Sequence, residues 1–337
     1  MQLNKYGDIS PRTAGFATKK LLSRGQYLMV LERFGQIDPQ GRNKTQTRKY
    51  RRYLSLPRAI SPLAEGITPA GQRLNYVDVN INLEQYGDIV WNTDVIIDTH
   101  EDPVLDQSMQ LCGEQAAETI EVVRYNALKA GTNVFYPTTA TTRATVNSPP
   151  TKGMMRLVYR SFKKNKAREH TEIISATAKV GTEPVGRSYF ALGHTDLDSD
   201  FRQVSGFTPI EQYSQSMKAI PGEIGKIENF RIILTALFEP FLAAGASGTT
   251  YLSGGASVSV AASCDVYPVL FLARDAYSMV PLQGQNAVEI GVVNPKKTTD
   301  DPLGQRGLTS WKSWQGAGIL NQLWIARGEV SATAVPS

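Results

Sequence analysis

The sequence predicts an α+β protein in which the first third is extended and the remainder is compact. Three features carry this prediction: an alternating region between residues 44 and 98, one long amphipathic helix after it, and short apolar runs towards the C-terminus. The chain has 337 residues, with 41% hydrophobic and 20% charged side chains, which is ordinary globular usage. This length allows one large domain or two to three smaller ones.

The alternating region predicts a long β-hairpin. Its second half, residues 76–98, opens with apolar side chains at every other position: Val77, Val79, Ile81 and Leu83. Its first half, residues 44–56, mixes basic and aromatic side chains, and the Pro and Gly residues between 57 and 75 predict an irregular tip. An isolated hairpin is marginal in water, so this one is expected to lie on its own body or on a neighbour.

Helix signals flank the hairpin on both sides. Ser10 and Pro11 predict the start of an arm of one or two short helices that ends at Gly35. Asp102 and Pro103 predict the start of a helix about 40 Å long, which Gly131 ends. Its apolar side chains form one narrow stripe: Leu105, Met109, Cys112, Ala116, Ile120, Val123 and Ala127. Such a helix is more typical of a scaffold than of a catalytic element.

Shorter elements are predicted in the rear of the chain. A basic helix is expected over 154–168, a short helix capped by Thr195 through Val204, and a further helix starting at Thr208-Pro209. Strands are expected at 229–239, 265–272 and 286–294, and a last apolar element at 319–329. Residues 243–262, rich in Gly, Ser and Ala, predict a loop or a hairpin.

Charge is strongly segregated along the chain. Residues 1–60 hold thirteen Lys/Arg and three Asp/Glu (13 − 3 = +10), whereas residues 76–121 hold eleven Asp/Glu and no Lys or Arg (−11). Such blocks attract each other, either by folding back or by meeting the next copy of the chain. The candidate assembly residues are Arg48, Lys49, Arg51, Arg52, Asp94, Asp98, Glu101, Asp102 and Asp106. A solvated face and contact with phosphates remain alternatives for the basic residues.

No pattern for catalysis, for a metal or for a cofactor emerges. The three histidines, His100, His170 and His194, lack zinc-protease spacing, and two cysteines cannot build a Cys-based zinc site. Asp196, Asp198 and Asp200 alternate as at the start of a calcium loop, but Phe201 stands where such a loop needs glycine. We therefore expect no enzyme, and neither a secretory signal nor a membrane-spanning segment is predicted.

The order of these features resembles a known family. The chain is similar to tailed-bacteriophage major capsid proteins of the Hong Kong 97 fold, and in particular to the major capsid family of the N-four-like phages. The segments that carry this resemblance are YGDISPRTAG at 6–15, KYRRYLSL at 49–56, YGDIVWNTDVIIDTHEDP at 86–103, LKAGTNVFY at 128–136, GEIGKIENFRIILT at 222–235 and DDPLGQRGLTSWKSWQGAGIL at 300–320.

The resemblance implies a division into four parts. An N-terminal arm would cover residues 1–40 and an extended loop 41–98. A peripheral domain with a long spine helix would cover 99–168 and 281–337, and an axial domain would cover 169–280. No large N-terminal scaffolding segment precedes the arm, so a separate scaffolding protein is implied if one is needed.

The resemblance also implies the partners. Hexamers and pentamers of the chain would form an icosahedral shell in the bacterial host cytoplasm, around double-stranded DNA that is contacted without sequence preference. Portal and decoration proteins would be further partners. The alternatives are a portal or tail component, a non-specific DNA-binding protein, and a hydrolase that uses the carboxylates near Asp196.

Overall fold

The computed structural model describes residues 29–60, 62, 65–66, 68, 71–99, 104–137, 140–174, 182–213, 219–248, 250–254, 262–282, 288–297 and 301–334. The helices in this part of the chain are α1 (Asp94–Thr99), α2 (Val104–Lys129), α3 (Lys152–Lys164) and α4 (Asp198–Gln203). The strands are β1 (Gln36–Ile37), β2 (Thr47–Tyr53), β3 (Tyr76–Asn82), β4 (Glu84–Thr93), β5 (Val134–Phe135), β6 (His170–Ile174), β7 (Thr182–Gly193), β8 (Phe207–Pro209), β9 (Glu223–Ile227), β10 (Phe230–Leu234), β11 (Ser247–Gly248), β12 (Ala262–Ser263), β13 (Tyr267–Leu272), β14 (Tyr277–Met279), β15 (Glu289–Val293), β16 (Arg306–Gln315), β17 (Ala317–Ile319) and β18 (Ile325–Val330).

A mixed central sheet organises the rear of the molecule. Among the described residues its strand order is β5-β18-β13-β7-β10-β9-β8, with β6 paired to β7 off this path. Side chains alternate across the sheet, so Tyr189 and Ala191 of β7 enter one apolar cluster while Phe190 and Leu192 enter another. Because both faces are covered, the central strand β13 is apolar throughout, and every residue of it is buried.

Helix α3 covers the first face of this sheet. The hydroxyl of Thr151 caps it by accepting the Met154 N–H at 3.3 Å. Its apolar side chains recur on one face and are all buried: Met154, Met155, Val158 and Phe162. The remaining face is basic and exposed, so α3 is strongly amphipathic.

Helix α2 connects two sheets. The predicted stripe is confirmed in its first half, where Met109, Cys112, Ala116 and Ile120 are at most 2% exposed. There Cys112 and Ala116 pack against Trp311 of the sheet β15-β16-β4. Beyond Ile120 the buried face turns, and the helix packs Tyr125 and Leu128 onto the second face of the central sheet. The second half of the stripe is therefore only partly buried at Val123 and Ala127.

The predicted hairpin is present, but its second half is shorter than expected. Strands β2 and β3 pair antiparallel from Thr47↔Asn82 to Tyr53↔Tyr76. After the buried Leu83 the chain leaves this ladder, and β4 pairs instead with β16 along ten positions. It then turns into α1 at Thr93, whose hydroxyl accepts the Ile96 N–H at 3.4 Å. One alternating run therefore builds two strands in different sheets and one helix.

Several shorter predictions need correction. Thr208-Pro209 does not start an α-helix, because Phe207–Pro209 pairs with β9 as strand β8 and only a 3-10 turn, Ile210–Gln212, follows. The turn after β7 is capped by the His194 side chain, not by Thr195, since the Asp196 N–H donates to His194 Nδ1 at 3.1 Å. The short helix that was expected to run through Val204 is α4, and it ends at Gln203.

The boundaries of other elements also differ from the prediction. The strand expected at 229–239 covers only Phe230–Leu234, and the last element begins at Ile325. Trp311 and Trp314 lie in β16, which the sequence did not indicate as a strand. The arm expected near Ser10 and Pro11 lies outside the described residues.

Candidate assembly surfaces

The hairpin brings the two charge blocks together within one chain. Arg51 in β2 donates from Nε and Nη2 to the two carboxylate oxygens of Asp78 in β3, at 2.8 and 3.1 Å. Lys49 Nζ lies 2.8 Å from the same carboxylate. Hydrogen bonds from Arg51 and Lys49 hold the pKa of Asp78 well below its usual range. The Arg51 guanidinium also stacks 4.2 Å from the centre of the Tyr76 ring.

The opposite face of the hairpin is fixed to the body at its base. Arg48 Nη2 donates to Asp38 at 2.8 Å, and the hydroxyls of Tyr50 and Ser278 are hydrogen-bonded at 2.8 Å. The base therefore rests on its own subunit, which is one of the two expected arrangements. The side chains that form this anchor pack in one cluster: Ile81, Leu83, Val280, Tyr50, Val79, Leu282, Trp314 and Leu320.

A glycine lets the hairpin base approach the body closely. A Cβ at Gly318 of β17 would lie 2.7 Å from Ile81 Cγ1, which is closer than real Cβ contacts allow. A side chain at this position would push β3 away from the body.

The distal end of the hairpin projects apolar side chains into solvent. Tyr53 is 60% and Tyr76 54% exposed, and their rings meet edge to face. Further exposed apolar side chains follow in the segments beyond the paired strands: Leu54, Leu56, Ile60 and Leu74. We call these six residues the hairpin tip surface. Because large apolar groups gathered at one extended end cost free energy in water, such a surface is typical of an interface.

A second apolar surface lies on the outer face of the sheet β15-β16-β4. Cross-strand pairing places Trp91, Leu308 and Val293 in one row on the face turned away from α2. Trp91 is 64% exposed, Val293 is 50% exposed, and Ile89 in the next row is 50% exposed. We call these four residues the outer sheet patch. Trp is among the residue types that most often dominate a protein interface, and Trp91 stands exposed at the β4 end of this row.

The inner face of the same sheet holds α2 in place, which makes the patch rigid. The Trp311 indole N–H donates to Gln115 Oε1 at 3.0 Å, and Gln115 Nε2 donates to Asp88 at 2.6 Å. Thr309 and Ser313 of β16 are buried against the helix side. The sheet therefore presents its outer row on a fixed support.

The predicted acidic residues have different surroundings. Asp94 opens α1, where its Oδ1 accepts the Val95 N–H at 2.8 Å, and Asp106 lies half-buried in the first turn of α2. The Asp98 side chain, and the whole of Glu101 and Asp102, lie outside what the structure describes.

The basic candidates pair elsewhere. Within the subunit, Arg48 binds Asp38, and Lys49 and Arg51 bind Asp78, two acids that the prediction did not include. Arg52 forms no ion pair among the described residues.

A buried carboxylate, which the sequence did not indicate, holds residues 30–34 in place. We call these residues the N-terminal segment. Glu121 Oε1 of α2 accepts the backbone N–H groups of Val30 and Leu31 at 3.0 and 2.9 Å. Burial raises the pKa of Glu121 to about 7, against the lowering effect of these hydrogen bonds and of Arg124. The Tyr277 hydroxyl donates to the Leu31 carbonyl at 2.5 Å. These contacts determine where the N-terminal segment enters the body.

A buried histidine lies at the other end of this segment. His170 of β6 is 2% exposed and meets the rings of Phe34 and Phe190 edge to face. Burial, and then the nearby charge of Arg274, lower its pKa to about 4. His170 is therefore neutral at ordinary pH and acts as part of the core.

The acidic run after His194 does not form a common site. Asp196 accepts the Tyr267 hydroxyl at 2.7 Å, Asp198 pairs with Arg202, and Asp200 accepts the Thr333 N–H at 2.9 Å. In the described part of the chain, no three or more His, Cys, Asp or Glu side chains are grouped to hold a metal. Nor is any helix there long and apolar enough to cross a membrane.

Comparison with known proteins identifies the class. A family model described as phage capsid protein matches residues 76–328. The major capsid protein of Pseudomonas phage KPP21 is 25% identical over 283 residues, which is 77% of this chain and 70% of that protein.

Solved structures with the same fold are also capsids. The capsid of Ralstonia phage GP4 has a TM-score of 0.64 at 10% identity, covering 91% of both chains. The capsid asymmetric unit of cyanophage Pam1 has a TM-score of 0.61 at 12% identity, covering 99% of this chain and 97% of that one. The fold is thus the Hong Kong 97-like fold of tailed-phage capsids, as the sequence predicted.

The fold, the family model and the related major capsid protein together define a structural protein of a phage capsid. The chain belongs to the phage capsid protein family. It is a component of the virion capsid and associates with further copies of itself.

Proposed function

We propose that this chain is a major capsid protein whose hexamers and pentamers close into an icosahedral shell around double-stranded DNA. The observation that carries the proposal is the pair of apolar surfaces, the hairpin tip surface and the outer sheet patch, on a subunit with the capsid fold. The name of the related protein of Pseudomonas phage KPP21, major capsid protein, supports the same role.

The proposed division of the chain follows the two sheets against which the two halves of α2 pack. Residues 99–168 with 281–337 would form the peripheral domain, because Cys112 and Ala116 of α2 pack there against Trp311 of β16. Residues 169–280 would form the axial domain, which contributes β7, β10 and β13 to the central sheet. Residues 1–40 would be the arm and 41–98 the extended loop, which beyond its anchored base would lie across a neighbouring subunit.

The free energy of assembly would come mainly from apolar burial. Covering a side chain such as Trp91 is worth about 25 cal/mol for each Å² removed from water. The exposed ion pairs of the hairpin contribute only about 0–1 kcal/mol each, so they select register rather than drive association. Symmetry repeats each modest contact in every subunit, and the sum stabilises the shell.

The further partners are proposed on the same basis. A scaffolding protein, a portal and a decoration protein would act with the shell, which would assemble in the host cytoplasm. Contact with the packaged DNA would be electrostatic and independent of sequence. The chain would have no catalytic role.

We expect Trp91→Glu to prevent shell formation while the subunit stays folded. The substitution places a charge on the edge strand of the outer sheet patch, and a charge buried in an interface without a partner costs several kcal/mol per contact. The measurement is the fraction of protein that sediments as particles after expression, with circular dichroism of the soluble subunit as the fold check.

Leu242→Glu is the matched control for this experiment. Leu242 is 62% exposed, close to the 64% of Trp91, but it lies on a loop outside both surfaces. Particles at the wild-type level from the Trp91 variant, or equal loss from both variants, would contradict the role given to the patch.

A further inference from the structure

The basic face of α3 is a strongly charged feature of the described part of the chain that the assembly surfaces do not use. Residues 152–168 contain seven cations and no acid. Two acids from neighbouring segments form ion pairs with them, namely Glu228 and Glu169. The local excess is thus 7 − 2 = +5, as large as the net charge of the whole chain, which is +5. The cations are Lys152, Arg156, Arg160, Lys163, Lys164, Lys166 and Arg168.

Four of these cations form a ridge along the helix. Lys152, Arg156, Arg160 and Lys164 are spaced four residues apart, so they follow one another at intervals of about 6 Å over about 18 Å. Lys166 and Arg168 continue the positive charge past the end of the helix, and both are exposed. We call these six residues the basic stripe. Its only large exposed apolar neighbour on α3 is Leu157, which is 45% exposed.

The stripe weakens the helix that carries it. Like charges four residues apart destabilise a helix by about 0.2–0.5 kcal/mol per pair. Lys152 stands in the first turn, which contains no acid, although the helix dipole favours negative charge there. The dipole accounts for Lys163 and Lys164 in the last turn but not for Lys152, Arg156 and Arg160. This spacing of like charges lowers the stability of α3 in the free subunit. A polyanionic partner that binds the cations would offset that cost.

The pairing of the stripe within the subunit is incomplete. Arg156 is held by Glu228 at 2.7 Å, and Lys152 lies 3.8 Å from the same carboxylate. Arg160, Lys164 and Arg168 form no ion pair within the described part of the chain.

The acidic segment of a second copy is a poor match for these free cations. Several of its carboxylates are already engaged: Asp78 by Arg51, Asp88 by Gln115, and Glu121 by the backbone of residues 30–31. A linear polyanion with evenly spaced charges fits the ridge better. Duplex DNA carries one phosphate about every 3.4 Å along each strand.

We propose that the basic stripe of α3 is the surface through which each subunit contacts the phosphate backbone of duplex DNA. This inference rests on the proposed function, because it names the part of the subunit that faces the enclosed DNA. The contact is electrostatic, since the stripe offers cations without an aromatic side chain for base stacking, and it is therefore independent of sequence.

The test compares two charge-neutralising variants of the unassembled subunit. The stripe variant carries Arg160→Gln, Lys164→Gln and Arg168→Gln, and glutamine keeps a helix propensity close to that of arginine and lysine. The control variant removes the same charge at exposed positions elsewhere, through Arg187→Gln, Lys296→Gln and Lys297→Gln. The probe is a random-sequence duplex, and fluorescence anisotropy measures its affinity over a series of salt concentrations.

We expect the stripe variant alone to lose salt-dependent binding. Each phosphate contact contributes about 0.9 to the slope of log affinity against log salt concentration, so the slope should become shallower by roughly 2–3. Equal slopes for the two variants would overturn the proposal. A stripe variant that binds DNA normally but no longer forms particles would also overturn it, and would assign the stripe to a second copy. Absence of shells from the wild-type protein would count against the proposed function instead.

Discussion

Replacing Arg51 and Arg52 together by Glu is expected to leave the subunit folded and to stop shells from closing. Glu at position 51 would stand directly opposite Asp78 in the β2–β3 ladder, where Arg51 now binds both carboxylate oxygens. Exposed ion pairs are worth only about 0–1 kcal/mol each, so the cores around the central sheet survive. The hairpin, however, loses the Arg51–Asp78 ion pair and gains a like-charge contact between its strands, and this change recurs in every subunit.

A charge exchange tests whether the Arg51–Asp78 pair is responsible. Arg51→Glu alone should reduce particle yield, and Arg51→Glu combined with Asp78→Arg should restore much of it, because the pair is re-formed with reversed polarity. Sedimentation and electron microscopy measure the particles, and circular dichroism measures the subunit fold. Normal particles from the Arg51 and Arg52 double variant would refute the role of this charge cluster in assembly.

The second prediction concerns the two buried titratable groups that flank the N-terminal segment. The pKa of Glu121 rises from 4.5 to about 7 on folding, so the folded state holds its proton longer and stability falls as pH rises through this window. The pKa of His170 falls from 6.5 to about 4, so the unfolded state binds the proton first and stability rises with pH between these values. Between about pH 4.5 and 6.5 the two groups therefore change the free energy of unfolding with pH in opposite directions, and their contributions nearly cancel.

Removing either Glu121 or His170 should reveal how the remaining group makes the free energy of unfolding depend on pH. In Glu121→Gln the free energy of unfolding should fall as pH drops from about 6.5 to 4.5, by about 1.4 kcal/mol per pH unit relative to wild type. In His170→Asn it should fall by a similar amount as pH rises over the same window. The charged groups that act on Glu121 are Arg124 of its own helix and Glu32 and Arg33 of the segment packed against it, and they are unchanged in both variants.

Urea unfolding of the unassembled subunit at several pH values is the measurement. At each pH the free energy of unfolding of the wild type is subtracted from that of the variant, which removes the contribution of all other titrating groups. Slopes of the same sign in the two variants, or none in either, would contradict the opposed titration of Glu121 and His170.

The elements that could be predicted are those with an uninterrupted period. Helix α2 and the strands β2 and β3 carry clear helical and alternating patterns, and the resemblance to phage capsids followed from the order of such elements. Strand β16 was missed because small polar residues, Thr309 and Ser313, occupy its buried positions, so its alternation does not appear as one of hydrophobicity. Likewise, no breaker residue marks Leu83, where the chain leaves the hairpin for another sheet.

The candidate assembly surfaces could be predicted only in part, because they depend on contacts between residues that are distant in sequence. Charge segregation correctly brought the basic and acidic blocks together, but the strand register selects Asp78 as the partner of Arg51, and the sequence does not fix the register. Glu121 resembles the exposed acids around it until the chain folds, since its partner Val30 is 91 residues away. The outer sheet patch likewise needs β4, β16 and β15 to be aligned before Trp91 and Val293 share a row.

Negative-stain electron microscopy of the purified protein tests the central claim most directly. The two exposed apolar surfaces on a capsid fold predict closed icosahedral particles formed from this chain, with the hairpin tip surface of each subunit resting on its neighbour. Single rings, or a dispersed protomer that stays monomeric at high concentration, would contradict the account.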